Sequence, residues 1–63
     1  MCESNVYILG KDGNEKLLME SVDLIEPGED TVTMENIFSQ RLTVKGRIKQ
    51  MHLVDHRILL EEK

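Results

Sequence analysis

The chain has 63 residues, a formal net charge of −4, 40% hydrophobic positions and two aromatic residues, Tyr7 and Phe38. That length predicts one domain over residues 1–63, burying only about 60% of the surface its unfolded form exposes and leaving little room for an enclosed substrate pocket. The acidic balance argues against nucleic acid, the apolar runs of a few residues argue against a membrane span, and a lone cysteine with no signal-like leader predicts a reducing, cytoplasmic setting.

Turn-forming residues at Gly10-Lys11-Asp12-Gly13-Asn14, Pro27-Gly28-Glu29-Asp30, Ser39-Gln40, Gly46 and Asp55-His56 divide the chain into short segments rich in Val, Ile, Leu and Thr. Glu3 to Leu9 alternates Val6 and Ile8 against Asn5, Tyr7 and Leu9. Glu15 to Glu26 is long, with apolar residues at Leu17, Leu18, Met19, Val22, Leu24 and Ile25, and is expected to bend near Ser21. From Thr31 to Glu35 the pattern has period two, with Val32 and Met34 facing one way, as a half-buried strand requires. Arg41 to Lys45 repeats it with Leu42 and Val44. Arg47 to Val54 carries Ile48, Met51, Leu53 and Val54, and a tight turn at Asp55-His56 leads into Arg57 to Glu61 with Ile58, Leu59 and Leu60. Helix can be drawn over Asp30 to Phe38 and Gly46 to Leu53, but β-branching and alternation favour strand. The expectation is an all-β chain, a small barrel or sandwich of five to seven short strands.

Lys45, Arg47 and Lys49 are the one dense basic stretch, and with no aromatic residue between them they read as the solvated face of a strand. The paired apolar residues Leu17-Leu18 and Leu59-Leu60 put apolar side chains on both faces of their strands, so one face of each is expected against a second copy of the chain, giving a homodimer.

The sequence has no Gly-rich phosphate loop, no Ser-His-Asp set and no pairing of carboxylates at catalytic spacing, so an enzyme is the weakest class. His52 and His56 would share a face on a helix, but across a hairpin turn they are expected to be structural rather than metal ligands. Cys2 stands out because a thiol at residue two is exposed to oxidation unless it is used. With Met1 removed, the Cys2 amine and thiolate form a five-membered chelate; with Met1 kept, the amine, the Cys2 amide and the thiolate form two fused rings. Such planar nitrogen-and-sulfur sets suit nickel(II) or copper(II), and two termini meeting at a dimer axis would complete the coordination. An incidental cysteine at a chain end is the alternative.

The opening Met1-Cys2-Glu3 with Val6-Tyr7, the run from Val22-Asp23 to Glu26-Pro27-Gly28, the pair Ile37-Phe38 and the ending Leu53-Val54-Asp55-His56-Arg57-Ile58-Leu59-Leu60-Glu61 resemble the CooT family of small nickel-binding proteins. The resemblance covers essentially the whole chain. It implies an SH3-like β-barrel, a homodimer, Cys2 as the ligand of Ni(II), and a part in nickel supply to a nickel enzyme such as carbon monoxide dehydrogenase or to its maturation factors. The family has also carried the label of predicted RNA-binding protein, so a small interaction or RNA-binding adaptor is the alternative function. One departure is Ser39, where that family pattern leads us to expect glycine.

Overall fold

Alternating burial dictates the architecture. Over Thr31–Asn36 the residues Val32, Met34 and Asn36 are buried while Thr31, Thr33 and Glu35 are only half-buried. The same period runs through the first half of the strand beginning at Arg41 and through the strand beginning at Arg57 in the computed structural model, which describes residues 3–62. Five strands result: β1 (Ser4–Leu9), β2 (Glu15–Pro27), β3 (Thr31–Asn36), β4 (Arg41–His52) and β5 (Arg57–Glu62). They close into a barrel in the order β1-β2-β3-β4-β5. Four junctions are antiparallel and the closing one, β5 against β1, is parallel, with Val6 opposite Ile58 and Ile8 opposite Leu60.

The expected small all-β barrel is therefore present, with five strands. The main difference lies in the fourth strand. Arg41 to Lys45 and Arg47 to Val54 are halves of a single strand, β4, which pairs with β3 through Lys45 and with β5 from Gly46 onward. Gly46 is not a turn but the point at which the strand passes from one neighbour to the other. A Cβ there would collide with the carbonyl oxygen of Glu61, so only glycine permits the approach. The strand also ends at His52, two residues earlier than expected, and Leu53–His56 form the turn.

β2 changes neighbours in the same way, pairing with β1 in its first half and β3 in its second. The bend expected near Ser21 is a β-bulge, with Ser21 in the left-handed region at φ 57°. These two long bent strands turn a small sheet into a closed barrel. Inside it Val6, Val22, Val32, Met34, Ile58 and Leu60 are buried, with Ile8, Leu18, Met19, Ile25, Leu42, Val44 and Ile48 packed around them. The core is aliphatic apart from Met34, and each fully buried side chain of this size stabilises the fold by about 1.5–3 kcal/mol.

Candidate functional site

The strands define two ends of the barrel. At one, β1 begins, and Ser4 lies opposite Val22, Val22 opposite Asn36, and Asn5 opposite Arg57. The β3–β4 and β4–β5 turns reach this same end. Hydrogen bonds tie it together: the Asn5 N–H donates to the His56 carbonyl at 2.9 Å and the Ile37 N–H to the Ser21 carbonyl at 3.0 Å. The Ser21 N–H donates to the Asn5 side-chain oxygen at 3.3 Å.

Among the described residues three that are not glycine, Ser21, Ser39 and His56, have left-handed backbone, and all three stand at this end. Each costs roughly 1 kcal/mol or more of local strain, and such strain gathers where a structure has a use for it. Ser39, at φ 64°, occupies the position where glycine was expected, so the turn keeps the geometry that glycine would favour.

Asn36 builds the β3–β4 turn. It is buried, and its side-chain oxygen accepts from the Phe38 N–H at 2.9 Å and the Gln40 N–H at 3.0 Å. Its side-chain amide donates to Gln40 Oε1 at 2.7 Å. The turn so held presents Ile37 and Phe38 outward, Phe38 at 71% exposure. The β4–β5 turn presents Leu53 at 70% and Val54 at 92%. Between Met19, Ser21, Asn36 and Phe38 an open hollow of about 410 Å³ adjoins the bulge. This end thus combines two apolar turns with the root of the N-terminal strand.

Cys2 itself lies outside the described residues; Glu3, next to it, leads directly into β1 at this end. His52 pairs with Arg57 at the mouth of the β4–β5 turn, and its Nε2 lies 3.0 Å from Gln50 Oε1. His56 helps to close the turn through its backbone, its N–H donating to the Leu53 carbonyl at 3.4 Å. Among the described residues no three of His, Cys, Asp or Glu gather to hold a metal.

Elsewhere the outer surface carries a second apolar feature. Tyr7 is opposite both Leu17 and Leu59, which places the outward members of the two expected apolar pairs in one row across β2, β1 and β5. Arg57 lies over the Tyr7 ring at 4.5 Å and reaches Glu15 at 3.1 Å, partly roofing that row. The basic stretch Lys45, Arg47 and Lys49 is exposed on β4, and Arg47 is paired with Glu61 at 3.5 Å. At the opposite end of the barrel, Asp12 in the β1–β2 turn accepts from the Asn14 N–H at 3.0 Å, a bond that holds its carboxyl below the usual range.

Asn5 and Asn36 organise the site, yet neither carried a sequence signal beyond the tendency of Asn to bond nearby backbone. No helix of the described chain is long and apolar enough to cross a membrane.

The family model for the CO dehydrogenase accessory protein CooT matches residues 1–61. The structure is similar to the crystal structure of a candidate CooT from Carboxydothermus hydrogenoformans, with a TM-score of 0.87 and 47% sequence identity over 98% of each chain. No curated protein matches the sequence. A family match over nearly the whole length, joined to the same barrel at that identity, means that this chain belongs to the CooT family of CO dehydrogenase accessory proteins.

Proposed function

We propose that the protein handles nickel(II) for a CO dehydrogenase, holding the ion as cargo through Cys2 of two chains that meet at a dimer axis. The observation that carries the reading is the placement of the β1 root among the two apolar turns at one barrel end. An apolar surface in that position favours a second copy, and a second copy there brings two N-termini together.

The donor chemistry supports nickel. A thiolate with nitrogen from the chain terminus forms a planar chelate, and two such sets complete a square-planar sphere of two sulfurs and two nitrogens. Binding releases the thiol proton, so affinity rises with pH until the thiol is ionised. A chain-end site also suits delivery, because an acceptor's ligands can replace terminal donors one at a time.

Titration with nickel, followed by the thiolate charge-transfer absorption in the ultraviolet, tests the reading. Wild-type protein is expected to take one nickel per two chains, whereas Cys2→Ser is expected to lose tight binding and keep its fold. A variant combining His52→Ala with His56→Asn, the Asn chosen because position 56 is left-handed, retains the site. Equal nickel affinity in Cys2→Ser would return that residue to an incidental cysteine and favour the adaptor reading.

A further inference from the structure

The ladder between β1 and β2 is broken at two places, between Ser4 and Val6 and between Val6 and Tyr7, and the first of these adjoins Ser21. There the register steps from Ser4 opposite Val22 to Val6 opposite Met19, so two residues, Glu20 and Ser21, face the single residue Asn5. At such a bulge a backbone group loses its ladder partner. Here the Asn5 side chain replaces it, accepting the N–H of left-handed Ser21 at 3.3 Å in a part-buried position. The backbone of Asn5 is engaged on the other side, donating to the carbonyl of His56 at 2.9 Å. One residue therefore fastens β1 to the bulge of β2 and to the β4–β5 turn. Through Ser21, whose carbonyl accepts the Ile37 N–H, the fastening extends to the β3–β4 turn.

We propose that Asn5 is a positioning residue for the nickel donors at the N-terminus, an inference that rests on the nickel reading above. Cys2 is three residues upstream of Asn5, a span of at most about 10 Å of extended chain. Two chains can share one ion only if both termini are presented from fixed roots. The rung at Ser4 and Val22 is the first of β1, and the Asn5–Ser21 bond is its neighbour. Removing the side-chain acceptor leaves the Ser21 N–H unpaired and loosens the beginning of β1 from the bulge, while the backbone bond from Asn5 to His56 stays. Ordering that segment must then be supplied at the moment nickel binds, at a cost on the scale of one backbone residue. The expected effect is a nickel affinity weakened about tenfold.

The test uses the full chain and nickel(II) alone, with three variants beside wild type. Asn5→Ala removes the acceptor. Asn5→Asp keeps an oxygen for the Ser21 N–H. Val44→Ala weakens the core in the part of the barrel that pairs with β3. Each is melted without metal and titrated by charge-transfer absorption. The proposal expects Asn5→Ala to bind about tenfold more weakly, Asn5→Asp to bind nearly as wild type, and Val44→Ala to bind as wild type despite a lower melting temperature. Unchanged affinity in Asn5→Ala overturns it, as does equal weakening in Val44→Ala, which would reduce the effect to general stability. If Asn5→Ala does not fold, Asn5→Ser, too short to reach the Ser21 N–H, takes its place with the same expected outcome. A wild-type protein that binds nickel no better than Cys2→Ser overturns the nickel reading, and the positioning role falls with it.

Discussion

Gly46 sits so close to Glu61 that a side chain at 46 would meet the Glu61 carbonyl oxygen. The Gly46 N–H meanwhile donates to the Asp30 carbonyl at 2.9 Å, outside its pairing with Glu62 on β5. Position 46 therefore belongs to two surroundings at once. Up to Lys45 the strand is a partner of β3, and from Gly46 it is a partner of β5. The barrel closes because the chain can pass between them at a residue without a Cβ.

Gly46→Ala is accordingly expected to be among the most damaging small substitutions in the chain. The obstacle is backbone rather than a movable side-chain end, so relief requires β5 to shift away from β4. A loss of about 2–4 kcal/mol is expected, which is a large share of the stability of a 63-residue domain. Chemical denaturation monitored by far-ultraviolet circular dichroism would measure it. A loss below about 0.5 kcal/mol would mean that the approach of β5 is not needed for closure.

Ser39 gives the opposite expectation. Its left-handed backbone strains any residue with a Cβ, and glycine relieves that strain, although it also raises the entropy of the unfolded chain. Ser39→Gly is expected to stabilise the fold by about 0.5–1 kcal/mol, seen as a higher melting temperature, with the β3–β4 turn unchanged. The Asn36 bonds to Phe38 and Gln40 fix that turn independently of residue 39. A destabilised Ser39→Gly protein would show that the Ser39 side chain contributes to the turn.

What the sequence made legible follows from which signals have a single physical cause. Alternation has one, so β3 could be read residue by residue, and the aliphatic core came with it. The bend at Ser21 was readable because a strand with apolar residues on both faces must turn over somewhere. Glycine has two meanings, a turn or a close approach, and at Gly46 the second applies, which is why one strand was read as two. The parallel closure of β5 on β1 joins residues about fifty positions apart, and no local pattern encodes it. At the candidate site the apolar turn residues were visible as letters, but their meeting with the root of β1 depends on that closure. The role of Asn5 was hidden for the same reason, since its partners Ser21 and His56 come from distant parts of the chain.

Asp12 provides a pH-dependent prediction at the other end of the barrel. The Asn14 N–H, and then the Asn14 side chain, bond the ionised carboxylate, so the folded-state pKa lies below that of the unfolded chain. A depressed carboxylate stabilises the fold above the unfolded pKa, and that contribution is lost as pH falls through the folded value. Asp12→Ala is therefore expected to melt lower than wild type at neutral pH, with the gap closing as the solution becomes acid. Melting curves from neutral to strongly acid pH check the sign. A gap that widens on acidification would contradict it.

The last prediction concerns assembly, and it separates the two exposed apolar regions. A stable dimer buries about 800 Å² on each partner, which is close to a fifth of the 4476 Å² of this chain's surface. On so small a barrel the interface must take in most of one end or one side. The end that carries Ile37, Phe38, Leu53 and Val54 also carries the root of β1, so an interface there accounts for both the apolar turns and a shared ion. The row of Leu17, Tyr7 and Leu59 is partly roofed by Arg57 and is the less apolar surface. Leu53→Asp combined with Val54→Asp introduces charge at two exposed turn positions without entering the core. It is expected to weaken dimerisation by at least about 2 kcal/mol, roughly thirtyfold, and to lower nickel affinity with it. Leu17→Lys is expected to leave both unchanged. Light scattering at micromolar concentration, paired with nickel titration, decides between the surfaces. A monomeric Leu17→Lys protein beside a dimeric turn variant would move the interface to the outer row and take the shared terminal site away from the apolar end.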